Sequence, residues 1–92
     1  MDNINRFGKH ELDDTETNLI MEIDEWKKKI EEERPKVILA KEEKKNFLEN
    51  IDAYIKDSQY FLEQKDYVRS FEALVWAWAW LEIGKKEGFL KE

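Results

Sequence analysis

The chain contains no cysteine, one proline and three glycines among its 92 residues. Without cysteine there is no disulfide, no thiol nucleophile and no cysteine-ligated zinc site. The scarcity of glycine and proline, and the lack of an Asn-Gly or Asp-Gly turn, argue against a protein made of strands and hairpins. Long apolar runs are also missing, since the longest, residues 73–81, is too short to cross a bilayer. We therefore expect no contact with a membrane.

An excess of basic charge is also missing, because the 16 lysines and arginines are outnumbered by 22 aspartates and glutamates, which gives a net charge of −6. Binding to nucleic acid needs a basic surface against the phosphates, so no nucleic-acid partner is expected. A basic cluster at residues 27–29 is followed directly by acids at 31–33, a pattern typical of ion pairs on a solvated helix face. The first residues lack a secretory signal, and we expect a cytoplasmic protein.

Motifs of catalysis and metal binding are absent from the sequence as well. His10 is the only histidine, and a zinc site needs several nitrogen, sulfur or oxygen ligands at defined spacings. There is no glycine-rich phosphate loop and no serine nucleophile motif. We expect no catalytic residues, no metal and no cofactor, and hence a protein that is not an enzyme.

What the chain does contain is helical periodicity, in a composition that is 41% apolar and 41% charged. One apolar stripe consists of Leu19, Ile23, Trp26 and Ile30. These residues recur at steps of four, three and four, which predicts a helix over residues 14–34. Asp13 has the chemistry of its N-cap, and Pro35 marks its end. Residues 1–12 are predicted to form an irregular N-terminal arm.

A second apolar stripe, from Leu48 to Leu62, predicts a helix over residues 38–64. The beginning of this helix has two interpretations. Residues 35–40 include adjacent apolar side chains, which are compatible with a buried connection or with an early helical turn. Both interpretations stay open at the level of the sequence.

A third helix is predicted over residues 67–83, with Asp66 as N-cap and Gly84 as a left-handed C-cap. Residues 89–90 are apolar and are expected to fold back onto the helix end. Short connections place consecutive helices antiparallel. The sequence therefore predicts an all-α protein, an antiparallel three-helix bundle that forms one domain over residues 13–92.

The turn between the second and third helices also predicts which residues face each other. If it centres between Lys65 and Asp66, Ser58 faces Ala73 and Tyr54 faces Ala77. Small residues then lie opposite small or aromatic ones, which allows the two backbones to approach closely.

The third helix is unusual because residues 73–81 (ALVWAWAWL) are apolar around the whole circumference. Trp76 and Trp80 lie one turn apart and away from the predicted core side, so Tyr54, Trp76, Trp80 and Ile83 form a candidate interaction face. Three interpretations stay open: a core position between the other helices, a self-association face, or the wall of a ligand pocket. The predicted core stripe consists of Phe71, Leu74, Val75 and Trp78.

The segment from Tyr54 to Gly84 combines aromatic, acidic and small residues at fixed spacings: Tyr54, Asp57, Ser58, Tyr60, Phe61, Asp66, Tyr67, Ala73, Trp76, Ala77, Trp80, Leu81 and Gly84. This set resembles the signature of a small archaeal family, the domain of unknown function 357. The resemblance implies a helical bundle and an archaeal source, and it supplies no activity. Part of the same hairpin, residues 65–77, is loosely similar to a tetratricopeptide unit, which is a protein-binding analogy. The sequence departs from that signature at Ser70, where the resemblance implies alanine, and at Ala79, where it implies glycine.

The aromatic excess of the third helix and the lack of catalytic motifs lead to two functional hypotheses. The first is a non-enzymatic protein-interaction module, with a homodimer as its simplest form. The alternative is a ligand-binding or accessory domain that acts with an enzyme partner, through an aromatic pocket on helices 2 and 3.

Overall fold

In a computed structural model that describes residues 14–92, these residues form three α-helices. The predicted all-α bundle is therefore confirmed, with a small antiparallel sheet of two strands added to it. The predicted arm over residues 1–12 and the N-cap at Asp13 lie outside the described residues. The elements are α1 (Asp14–Glu33), β1 (Ile38–Leu39), α2 (Lys45–Glu63), α3 (Tyr67–Lys86) and β2 (Leu90–Lys91).

Helix α3 is the central element, because it packs against both α1 and α2. Burying a leucine or isoleucine side chain contributes about 1.5–3 kcal/mol to stability. None of the helices formed by residues 14–92 has the length and apolar character that a bilayer crossing requires. The side chains that form the centre of the core are Ile23 and Ile30 of α1, Ile51 of α2, and Leu74, Ala77 and Leu81 of α3.

The end of α1 is fixed to α2 by an ion pair. The helix ends at Glu33, and Arg34 begins a short 3-10 turn with Pro35 in its first positions. The guanidinium of Arg34 donates from Nε and Nη2 to the two carboxylate oxygens of Asp52, at 2.6 and 2.9 Å. This hydrogen bonding to Asp52 raises the pKa of Arg34 and outweighs the opposite effect of burial.

The predicted beginning of the second helix at residue 38 is wrong, since α2 starts at Lys45. Residues 38–39 are instead strand β1, which pairs with β2 in the register Ile38 to Lys91 and Leu39 to Leu90. The N–H of Ala40 also donates to the carbonyl of Phe89 at 2.8 Å. The C-terminal residues therefore bind backbone groups that a helix would have used.

The predicted end of the third helix is also wrong, because α3 continues through Gly84 to Lys86. Gly84 is buried, and a Cβ atom there would lie 2.6 Å from Leu90 Cδ1 and 2.9 Å from Phe47 Cε2. The glycine with a left-handed backbone is Gly88, at φ +79°. The expected return of the chain end is confirmed, since the N–H of Phe89 donates to the Gly84 carbonyl at 2.8 Å.

The turn between α2 and α3 agrees with its prediction. Lys65 has a φ of 61°, and the Asp66 carboxylate caps α3 by accepting the N–H of Arg69 at 3.2 Å. Behind the turn, the buried Ser70 hydroxyl donates to the Ser58 carbonyl at 2.9 Å and lies 3.1 Å from the Ser58 hydroxyl. Each buried hydroxyl has a partner, so close packing of α2 and α3 leaves neither of them unsatisfied.

Replacing Ala73 or Ala77 by leucine is expected to lower the free energy of unfolding by about 1–3 kcal/mol each, because the added atoms overpack the interface with α2. Both alanines are buried. The Tyr54 ring contacts Trp76 and Trp80 of α3. Ser58, which was predicted to face Ala73, forms its side-chain and carbonyl hydrogen bonds with Ser70. Urea denaturation followed by circular dichroism measures the effect.

The matched control is Ala53→Leu, since Ala53 is an exposed alanine in the middle of α2. We expect its unfolding free energy to lie within about 0.5 kcal/mol of the wild type. Neutral melts for both core variants would show that these alanines do not set the distance between the two helices.

Candidate functional site

The four residues of the predicted interaction face lie on neighbouring parts of α2 and α3, and we call them the aromatic face: Tyr54, Trp76, Trp80 and Ile83. They differ in exposure. Trp76 is 50% exposed and Ile83 is 47% exposed, while Tyr54 and Trp80 are partly buried. The sequence pattern placed the two tryptophans on one face, but in the structure Trp76 is exposed and Trp80 is partly buried.

Trp80 takes part mainly in packing within the chain. Its ring centroid lies 4.5 Å from that of Phe47 and 5.9 Å from that of Tyr54, which approaches it edge-on. Trp76 has a different environment, since Tyr54 stacks on it at 6.5 Å with an interplanar angle of 22°. One aromatic ring therefore supports Trp76 from the α2 side, while half of its surface remains in contact with solvent.

The buried side of α3 explains why the aromatic face points outwards. The predicted core stripe is confirmed for Leu74, which is buried, and for Phe71 and Trp78, which are partly buried and pack against the core. It is wrong for Val75, which is partly buried and lies outside that core cluster. Small residues allow α1 and α2 to approach α3, and the large rings are displaced to its two flanks. The buried residues of α3 are Ser70, Ala73, Leu74, Ala77, Leu81 and Gly84.

The opposite flank of α3 is closed by α1. The Trp26 ring meets Phe71 at 5.8 Å and Trp78 at 6.5 Å, both in edge contacts. The ammonium of Lys29 lies 4.2 Å from the Trp78 centroid and 5.1 Å from the Trp26 centroid. Trp26 therefore covers this flank, and the ring contacts of Trp76 and Trp80 come from α2 instead.

A groove of about 260 Å³ runs between α2 and α3 beside Trp76. The buried Ala73 belongs to its lining. Arg69 lies over the Phe61 ring at 5.9 Å and forms an ion pair with Asp66 at 3.6 Å. The side chains that line the groove are Tyr54, Asp57, Phe61, Arg69, Glu72, Ala73 and Trp76.

Two lysines follow Ile83 near the end of α3, and they differ in their ion pairs. The ammonium of Lys85 lies 3.3 Å from Glu82 and 3.6 Å from Glu33, so it links α3 to α1. Burial lowers the pKa of Lys85, but the hydrogen bond to Glu82 and the charges of the neighbouring carboxylates raise it above its ordinary value. Lys86 is exposed and makes no ion pair within residues 14–92.

Metal binding finds no support in this part of the molecule. Among residues 14–92, no three histidine, cysteine, aspartate or glutamate side chains are grouped so that they could hold a metal ion. His10 lies outside the described residues. The chemistry that the site offers is apolar and aromatic contact, with carboxylates at its edge.

Sequence reasoning missed three residues that border the aromatic face. Glu72, Ala79 and Lys86 lie on the outer side of α3, at helical spacings of three or four from Trp76 or Ile83. We call this row the outer stripe. Its spacing was visible in the sequence, but the wholly apolar segment around Ala79 concealed which side of the helix faces outwards. The outer stripe consists of Glu72, Trp76, Ala79, Ile83 and Lys86.

Comparison with known proteins supports the fold and identifies the family. No curated protein matches the chain. The crystal structure of protein AF1782 from the archaeon Archaeoglobus fulgidus, which belongs to the DUF357 family, is similar with a TM-score of 0.77 and 47% sequence identity. The similarity covers 85% of this chain and 97% of that chain. The model of the same family, described as a protein of unknown function, matches residues 22–90. The resemblance found in the sequence is thus confirmed, and the chain belongs to the DUF357 family.

Proposed function

We propose that the protein is an interaction module without catalytic activity, and that it pairs with a second copy of itself through the aromatic face. The observation that carries the proposal is the half-exposed Trp76, with Ile83 about two turns further along α3 and equally accessible. Large apolar side chains of this kind usually mark contact sites when several lie together at a surface.

Two features favour a second copy as the partner. A two-fold arrangement lets one surface serve both subunits, so it needs no second complementary surface. The Tyr54 ring stacked against Trp76 also holds the indole in place before binding. A partly immobilised ring loses less conformational entropy on association than a free one.

Trp76→Glu/Ile83→Glu is expected to remain helical and to become monomeric at micromolar concentration, where the wild type is a dimer. Light scattering after size-exclusion chromatography measures the mass, and circular dichroism checks the fold. Both replaced side chains are about half exposed, so the folded monomer tolerates the charges. Trp80 is left intact because its ring packs on Phe47.

The matched control is Tyr60→Glu, which places a charge at an aromatic residue that is 58% exposed and lies outside the aromatic face. This variant is expected to keep the mass of the wild type. A folded Trp76→Glu/Ile83→Glu variant that retains the dimer mass would contradict the proposal, because no contact through this face would survive two buried carboxylates.

The second candidate function is a ligand-binding or accessory domain that acts with an enzyme partner. The groove beside Tyr54 and Trp76 favours it, because its volume of about 260 Å³ suits a small molecule or a single side chain. Native mass spectrometry of the purified chain separates the two candidates. A small molecule retained at one copy per chain would favour ligand binding, and a ligand-free dimer would favour self-association.

A further inference from the structure

The residues of the outer stripe are arranged so that one copy complements a second copy running in the opposite direction. Its residues follow at steps of four, three, four and three, so they lie along one side of α3. An acidic residue begins the stripe, a basic residue ends it, and alanine is at the centre. Aromatic Trp76 and aliphatic Ile83 lie between the centre and the two ends.

Two copies of this stripe can pair in either direction, with different electrostatic results. In an antiparallel pair centred on Ala79, Glu72 of each copy lies opposite Lys86 of the other, and Trp76 lies opposite Ile83. In a parallel pair, like charges lie opposite each other and repel, which disfavours that arrangement. The small side chain of Ala79 permits close approach of the helices at the crossing point.

The groove beside the stripe has the chemistry of a site for an ammonium group. Asp57 and Glu72 are exposed carboxylates that form no ion pair within residues 14–92, whereas the charge of Arg69 is engaged by Asp66. The stacked rings of Tyr54 and Trp76 line the same groove as these carboxylates. An ammonium near an aromatic face and a carboxylate gains from both contacts.

Lys86 is the cation of the stripe that can supply this group. It is exposed, whereas the ammonium of its neighbour Lys85 is held by Glu33 and Glu82. In the antiparallel pair, Lys86 of one copy lies opposite Glu72 of the other, at the edge of the groove. Its four-carbon stem can lie along the Trp76 ring while the ammonium reaches the carboxylates.

We infer that the groove between α2 and α3 takes the Lys86 side chain of a second copy, which fixes an antiparallel dimer centred on Ala79. This inference rests on the proposed function, and it adds the direction of pairing and the residue that fills the groove. Because two-fold symmetry duplicates the contact, the dimer contains two such lysine sites.

Cysteine crosslinking tests the direction of pairing, and the absence of native cysteine makes the result unambiguous. We expect a short bismaleimide to link a Glu72→Cys chain to a Lys86→Cys chain in an equimolar mixture. Neither variant alone should form a linked dimer, since like positions lie at opposite ends of the antiparallel pair. Linked Glu72→Cys dimers in the single-variant sample would overturn the antiparallel arrangement.

Charge reversal tests the lysine site itself. Glu72→Lys and Lys86→Glu are each expected to weaken the dimer by about tenfold, because each change places two like-charge contacts in the interface. The double variant restores the opposite charges and should recover the affinity to within about threefold. Glu25→Lys, an exposed change on α1, is the control and should leave the affinity unchanged.

The outcomes separate this inference from the proposed function. A dimer that dissociates on Trp76→Glu/Ile83→Glu, but shows neither the mixed crosslink nor recovery in the double variant, overturns the lysine site and leaves the aromatic face as the interface. A wild type that is monomeric throughout overturns both.

Discussion

Replacing Leu81 by alanine is expected to lower the free energy of unfolding by about 2–5 kcal/mol, which is a large part of the total stability of a domain of this size. Leu81 is 0% exposed and belongs to the cluster that joins α3 to Ile30 and Ile51. Truncation removes the buried methyl groups and leaves a cavity that the central helix cannot close, because α1 and α2 pack against it on two sides.

Urea denaturation followed by circular dichroism measures this loss, with the slope of the transition as a check on two-state behaviour. Val68→Ala is the control, because it also truncates an aliphatic residue of α3 but at a position that is 68% exposed. We expect the control to change stability by about 0.5 kcal/mol or less. A Leu81→Ala variant as stable as this control would contradict the position of Leu81 at the centre of the core.

Replacing Gly84 by leucine is expected to cost about 2–4 kcal/mol and to detach the C-terminal strand. Even a Cβ atom at this position would lie 2.6 Å from Leu90 Cδ1 and 2.9 Å from Phe47 Cε2. Helix propensity acts in the opposite direction, since replacing glycine within a helix gains roughly 1 kcal/mol. The steric cost is larger because Leu90 is itself buried and has little room to move.

Hydrogen exchange gives this variant a local signature. The N–H of Ala40 donates to the Phe89 carbonyl, so displacement of Leu90 should speed exchange at Ala40 more than in the middle of α2. Ala53→Leu adds the same side chain at an exposed helical position and should show neither effect. A stabilised Gly84→Leu variant would mean that Leu90 does not pack on this glycine.

The helices could be predicted from the sequence because their signals are local. The apolar spacing of α1 and the Asp66 cap of α3 act within one or two turns, and the structure contains both. The segment before α2 could not be predicted in the same way. Ile38 and Leu39 are extended because they pair with residues at the far end of the chain, and apolar periodicity carries no information on such a partner.

Gly84 is a second case in which the local sequence pattern does not reveal a contact with a distant part of the chain. Its place after an apolar helix is typical of a C-cap, and only the neighbourhood of Leu90 and Phe47 reveals that it serves close packing within the helix. The local signal for the turn was in fact at Gly88, whose backbone is left-handed. A second glycine so close to the first made the helix end ambiguous in the sequence.

The candidate site was predictable in its residues but not in their exposure. A spacing of four residues places Trp76 and Trp80 on one flank of α3, as the structure shows. The exposure of each ring depends on its contacts with Phe47 and Tyr54 of α2. Those contacts follow from the alignment of α2 against α3, which the sequence predicts only to within about one helical turn. Trp80 therefore lies against two rings, while Trp76 remains half exposed.

Sedimentation equilibrium of the wild-type chain tests self-association through the aromatic face most directly. With Trp76 and Ile83 half exposed on the same helix, we predict a reversible monomer–dimer equilibrium at micromolar concentration. The weight-average mass should rise with concentration towards twice the 11.2 kDa of one chain. A mass that stays at the value of one chain up to millimolar concentration would contradict self-association.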